Sequence, residues 1–428
     1  MKSEKNKRKF ITIFINLFLI SMFVSSLISC SVSLPKHSSE IAMYKINPQR
    51  TGAFEEETGK IEGKVLWSFK VKTSLIPGGG NTLPIYWKGT IFFGCSEYLF
   101  GVDANSGSEK WQFRLDGTIS TDPTIMDDVI FFGSGGGGYT FSALDLKSKK
   151  LKWSIYTDEA ILTSPLIVND MVYFGSKAGT MYAVSAKTGK IIWNINLGDP
   201  ILSSPAYLDG IIYFGTDSGA FYEREWDATF YAIDANTGKE IWKFKTEGDS
   251  IPTPCIWDNK VYFGTYSDES NPIHQNKVRG FFALDAKTGK VQWKHSSSSG
   301  TSSPIVSGGV IYRSIGCIII AQDANNGNVL WTFHQEEVSS KFDVFDESPA
   351  FAGDRIYMPD LVGHLYSIDV KTGKQVWKIF LGRGYYNPRA IDNPFTGGAP
   401  IIINNTLYMT LFLRFVGDEY ATLLVAIK

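Results

Sequence analysis

The chain has 428 residues with 42 Lys plus Arg against 43 Asp plus Glu, and its formal charge of -1 gives no electrostatic reason to expect nucleic acid or an acidic membrane surface as partner. Aromatic residues reach 14% and glycines number 41, which suits many short strands joined by tight turns and makes all-β the leading fold class. The four cysteines, Cys30, Cys95, Cys255 and Cys317, form no C-x-x-C pair, so neither a zinc ribbon nor a redox motif is present.

At the N-terminus, Lys2, Lys5, Lys7, Arg8 and Lys9 precede an apolar run from Phe10 to about Ile28, the charged and apolar regions of a secretory signal. Leu27-Ile28-Ser29-Cys30 resembles a bacterial lipobox, which implies that Cys30 is lipidated and opens the mature protein. Residues 1–29 are thus read as a signal peptide and residues 30–42 as a polar tether. The alternative is an uncleaved helix, because about 19 apolar residues nearly span a bilayer. Either way the rest of the chain is expected outside the cytoplasm. By analogy with bacterial lipoproteins, Ser31 implies sorting to the outer membrane in an organism that has one. Two or three acyl chains would give stable attachment.

From Val65 onward one unit recurs: an Asp, a Gly four residues later, and a Trp four residues after that. It reads Asp103-Gly107-Trp111, Asp234-Gly238-Trp242, Asp285-Gly289-Trp293, Asp323-Gly327-Trp331 and Asp369-Gly373-Trp377. Two copies are degenerate, one with Lys149 between Asp145 and Trp153, the other with Ser185 before Gly189 and Trp193; Trp67 is an eighth. Each Trp is followed by a proline that opens the next apolar run, from Pro84 to Pro400. The spacing is that of a four-stranded propeller blade with strands A to D. In Asp234 to Lys239 the Asp side chain can accept from backbone groups two or three residues on, and Gly238 supplies the positive φ of the reversal. One Trp per unit at a fixed strand position is expected to pack between blades, its N–H reaching a carbonyl.

The run Leu423 to Lys428 aligns with strand C of the fourth unit, Phe230 to Asp234. The D strand around Trp67 is therefore expected to complete the last blade, closing residues 43–428 into an eight-bladed ring without open sheet edges.

The unit Ala-x-Asp-x-x-Thr-Gly-Lys-x-x-x-Trp, as in Ala232 to Trp242 and Ala283 to Trp293, resembles the PQQ-like propeller repeat, and Tyr44 to Gly52 resembles the lead-in many such proteins carry. Some members are quinoprotein dehydrogenases, which implies pyrroloquinoline quinone and calcium on the axis. The adjacent cysteine pair of the alcohol-oxidising members is absent here, and no matching set of calcium ligands is recognisable. The overall layout is closer to the BamB-type outer-membrane assembly lipoproteins. That resemblance implies a non-enzymatic scaffold with no cofactor, anchored to the membrane by lipid, whose partner is an envelope protein such as a barrel-assembly component. A quinone-dependent oxidoreductase and a ligand- or carbohydrate-binding surface sensor are the alternatives.

A search for other chemistry returns little. His37, His274, His295, His334 and His364 have no metal-ligand spacing, and no G-x-S-x-G elbow occurs. Instead, the repeat's own irregularities point to a binding face. The D-to-A connections lengthen after Trp67, Trp331 and Trp377, and the B-to-C connections lengthen at Thr216 to Thr229, Tyr266 to Gly280 and Leu411 to Thr422. In an A-B-C-D blade all six emerge on one face. They carry the candidate partner-binding residues Arg224, Trp226, Phe412, Arg414 and Phe415, types favoured as interface anchors. The lipobox reading predicts that fatty-acid labelling depends on Cys30; a Cys30→Ala variant that still labels and still fractionates with membranes would refute it.

Overall fold

A computed structural model describes residues 41–45, 47–50, 53–54, 61–73, 81–135, 138–217, 228–246, 248, 250–265, 279–297, 302–335, 345, 348–361, 363–382, 398–414 and 420–428. Residues 41–428 form one compact unit. It is an all-β propeller of eight four-stranded antiparallel blades. Blade 4 shows the pattern: strand A, Ala206–Leu208; B, Ile211–Gly215; C, Thr229–Asp234; and D, Glu240–Lys245. Strands B and C are continuous apolar runs because both of their faces meet a neighbouring blade. Strand D alternates between exposed and half-buried residues, being the outer strand.

Blade 8 is closed by the two ends of the chain. Its outer strand, Val65–Thr73, pairs antiparallel with Tyr420–Ile427 from Val65↔Ile427 to Thr73↔Tyr420. Its B and C strands run further than the repeat predicts. Leu411↔Leu423, Phe412↔Thr422, Leu413↔Ala421 and Arg414↔Tyr420 are ladder pairs, and only residues 415–419 lie between the strands. The expectation of a loop from Leu411 to Thr422 is corrected accordingly. Thr410 and Phe412 are strand-favouring types within an apolar run, so the ladder continues through it.

The tryptophans join the blades as the repeat suggested. Trp193 Nε1 donates to Ala235 O of the next blade at 2.9 Å, and Trp67, Trp153, Trp242, Trp293, Trp331 and Trp377 repeat the bond at 2.7–3.2 Å. Each ring lies over the glycine of its neighbour's C-to-D turn. A Cβ at Gly107 would sit 2.6 Å from the Trp67 ring, and one at Gly238 2.8 Å from Trp193. The turn is fixed locally as well: Asp234 Oδ1 accepts from Asn236 N, Thr237 N and Thr237 Oγ1, bonds that hold its carboxyl below the usual carboxylate range.

Trp111 departs from the pattern, and the degenerate second repeat explains it. The residue that should lie beneath Trp111 is Lys149, which adopts the glycine conformation at φ 56° but carries a Cβ. The ring has turned away. Its plane makes 85° with Phe92, where the other seven make 40–51° with the ring in the same B-strand position. Its Nε1 is buried without a partner. Replacing Lys149 by Gly is therefore expected to raise stability by about 1–2 kcal/mol, from relief of the left-handed backbone and recovery of the indole bond. Trp242→Ala should lower it by about 3–5 kcal/mol through the cavity left. Urea unfolding of both variants checks this; a destabilised Lys149→Gly would show that the substituted turn is not the cause of the rotated ring.

Candidate functional site

Eight short A strands surround the axis, and each has an inner edge with no fellow strand of its own blade beyond it. Unsatisfied backbone groups at such an edge need partners. Residues 41–54 supply many of them. Ile41–Ala42 pairs antiparallel with strand A of blade 2 (Thr124–Met126), and Ala53–Phe54 pairs parallel with strand A of blade 7 (Ala350–Ala352). Between them the segment crosses the axis, where Pro48 O accepts from Tyr207 N of blade 4 and Gln49 O from Ile256 N of blade 5.

Two cations anchor this plug. The Arg50 guanidinium is fully buried and spends its donors on carbonyls: Nε on Pro205 O (3.0 Å), Nη1 on Tyr44 O (2.6 Å), and Nη2 on Ser164 O and Pro165 O (3.2 and 3.3 Å). Lys45 Nζ donates to Pro304 O of blade 6 at 2.7 Å, and Tyr44 OH bonds Ser348 Oγ of blade 7. Burial holds the Lys45 ammonium down to about 7, with the Cys255 thiol acting against that shift and Arg50 adding to it. Asp122 is the carboxylate nearby. It accepts from Leu83 N (2.8 Å) and Ser164 Oγ (2.6 Å), and burial raises its affinity for a proton.

Beside the plug a cavity of about 30 Å³ is lined by Met43, Tyr44, Lys45, Pro84, Asp122 and Pro400 among others. That is room for a water or two, whereas small-molecule pockets usually offer hundreds of Å³. Pyrroloquinoline quinone with its calcium does not fit such an axis. The plug crosses the axis, it brings the buried cations Lys45 and Arg50 there beside the single carboxylate of Asp122, and among the described residues no three His, Cys, Asp or Glu converge.

The lengthened connections begin and end around this plugged mouth. In each blade the antiparallel ladder puts the end of B, the start of C, the end of D and the start of A at one face, as in Gly215↔Phe230 and Thr229↔Lys245. Pro165, Pro205 and Pro304, which accept from the plug, sit just before strands A on that same face. Of the candidate partner-binding residues, Arg224, Trp226 and Phe415 lie outside the described residues, as does Cys30. Arg414 closes strand B of blade 8, and Phe412 within it is 7% exposed, packed instead of presented. The plug itself escaped the sequence search. Its signal was a charged pair, Lys45 and Arg50, in an otherwise uncharged segment around Pro48.

Comparison with known proteins agrees with this architecture. A family model described as outer membrane protein assembly factor BamB matches residues 50–204 and 227–409, and one described as the β-propeller domain of glucose/ethanol/alcohol dehydrogenase matches residues 139–295. The serine/threonine-protein kinase AfsK of Streptomyces griseus is 31% identical over 104 residues, 23% of this chain but 13% of the kinase. In fold, the chain is similar to BamB from Moraxella catarrhalis, with a TM-score of 0.59, 17% identity, and coverage of 84% of this chain and 99% of that one. It is similar also to the quinohemoprotein alcohol dehydrogenase ADHIIG of Pseudomonas putida HK5, with a TM-score of 0.65, 14% identity, and coverage of 90% and 79%.

Lys45 makes the plug's hold dependent on pH. The unfolded chain keeps this proton up to about 10.5, while the folded chain releases it near 7. Between those values the unfolded state binds more protons, so stability rises with pH, by at most about 1.4 kcal/mol per pH unit. Above pH 9 the Cys255 thiol, pushed up to about 12 by burial, acts in the opposite sense. The expected result is a melting temperature that climbs from pH 7 to 9 in the wild type and stays level in Lys45→Met. Parallel curves for the two proteins would contradict the assignment.

Proposed function

The chain belongs to the family of the outer membrane protein assembly factor BamB, and from that premise we propose that it is a non-enzymatic, lipid-anchored scaffold of the cell envelope that binds a protein partner, a barrel-assembly component by family likeness. One observation carries the reading. The axis, where a propeller can hold a small ligand, is crossed by the chain's own Lys45 and Pro48 to Arg50, while five lengthened connections begin and end on the face around it. Connections on a rigid scaffold are where recognition tends to reside. Catalysis on the axis in the manner of the quinoprotein dehydrogenases is not part of this reading, because Arg50 and Lys45 take the space it would need.

The opposite face is a poor candidate for recognition. Six of its C-to-D turns contribute the glycine and carbonyl on which the neighbouring tryptophan rests, so their length and conformation are tied to packing. Two sets of changes separate the faces: charge reversals and aromatic-to-Ala substitutions in the five connections, Arg224 and Trp226 included, and charge reversals at exposed turn lysines such as Lys187, Lys239 and Lys287. After folding is verified, each variant is used to capture partners from detergent-solubilised envelope. Capture of a barrel-assembly protein is expected to fall at least tenfold in the first set alone. Loss only in the second set, or capture of no such protein by the wild type, would sink the proposal.

A further inference from the structure

One seam of the ring differs from the other seven in the polarity of its strand B side chain. In strand B the residue after the conserved aromatic position is Phe93, Phe132, Phe174, Phe214 and Phe263 in blades 1–5 and Met358 and Met409 in blades 7 and 8, all fully buried. In blade 6 it is Arg313, also fully buried. Two further positions that face the same seam change with it. Gln322 stands in strand C where the other blades carry Val102, Leu144, Val184, Ile233, Leu284, Ile368 and Ile427. His295 stands two residues after Trp293, where blade 4 carries Phe244 and blade 6 Phe333. Three polar side chains thus converge between blades 5 and 6 at sites that are apolar elsewhere.

Their bonding is incomplete in a directed way. The Arg313 guanidinium lies over the Phe281 ring, 4.5 Å from its centroid, in the place a phenyl ring takes at the blade 4–5 seam, where Phe263 stacks on Phe230 at 4.1 Å. Nε donates to Gln322 Oε1 at 2.6 Å, and Gln322 Nε2 in turn donates to Gly327 O at 3.0 Å, so the plane of the fork is fixed. Among the described residues Nη1 and Nη2 have no partner, nor has the buried Nδ1 of His295. Burial alone lowers the guanidinium to about 9, with no carboxylate acting against it, and Arg313 together with burial disfavours the imidazolium. A buried, oriented and uncompensated guanidinium calls for an anion.

We infer that the seam between blades 5 and 6 is a binding site for a small carboxylate, held across Nη1 and Nη2 of Arg313 and bonded by Nδ1–H of His295. The planar fork matches a carboxylate with two parallel bonds, which a spherical halide does not exploit. Both Nη atoms are shielded from solvent, which favours the smallest carboxylates. The site lies away from the axis and its test does not depend on the identity of any protein partner.

Formate is the probe, added to the full chain at constant ionic strength against chloride. At about a hundred times its dissociation constant a ligand of the native state should raise the melting temperature of a chain this size by about 3 °C. The wild type is expected to show that rise saturably with formate and not with chloride. Arg313→Met, which installs the residue of blades 7 and 8, should show none and should melt above the anion-free wild type. Equal shifts with chloride, equal shifts in both proteins, or an anion-free wild type more stable than the variant would overturn the inference. Should the variant fail to fold, saturable broadening of the carbon-13 formate resonance by the wild type decides it, and absence of broadening overturns it.

Discussion

A tryptophan ring on the outer strand of one blade needs a residue without a side chain in the turn of the next, and most of what is regular in this propeller follows from that contact. The same turn must supply a carbonyl for the indole N–H and a left-handed backbone at the glycine, so Asp, Gly and spacing are constrained together. Lys149 shows what happens when one element changes: the backbone keeps its path, the ring swings aside, and a buried donor is orphaned. Because a C-to-D turn is ordinarily half of its neighbour's socket, inserted residues accumulate at the other end of the strands. The division of labour between the two faces is a consequence of packing before it is one of function.

The ring was legible in the sequence because its contacts repeat. Trp242, Gly238 and Asp234 recur at fixed spacing, and Pro205 marks the return to the axis, so strand order and the partnership of Val65–Thr73 with the final strand could be derived by counting. What occurs once could not be counted. Residues 41–54 read as a tether and a lead-in, and nothing periodic in them announced that Arg50 would be fully buried among four carbonyls. The reach of blade 8 was misjudged for a related reason: its Leu411-Phe412-Leu413-Arg414 run has no equivalent in the other blades, and an apolar insertion reads equally as loop or as prolonged strand. Arg313, Gln322 and His295 lie in different strands, and only their alignment against the other blades makes them a cluster.

The axis and the blade 5–6 seam solve one electrostatic problem in two ways. Arg50 is buried but has carbonyls for its donors and the carboxylate of Asp122 near its charge, an arrangement that satisfies its hydrogen bonding. Arg313 has one bonded nitrogen and two that are bare. The first arrangement is complete and rigidifies the centre of the ring. The second is open-ended, and an apolar residue would pack there more favourably unless something else were gained.

The pairing of Val65–Thr73 with Tyr420–Ile427 also sets the order in which the molecule can form. Seven blades are hairpin meanders made of local contacts, whereas the eighth joins positions at opposite ends of the ring. Closing so long a loop costs only about 3 kcal/mol more than closing a ten-residue turn, since each doubling adds about 0.6 kcal/mol. Eight residue pairs and the seated Trp67 ring exceed that readily. The penalty is kinetic: contacts of such sequence separation form slowly, and until they do the two unjoined strands of the eighth blade stand open to wrong partners. A chain delivered across a membrane from its N-terminus would hold strand Val65–Thr73 unpaired throughout its passage, and a chaperone that covers this edge would guard the step on which the ring depends.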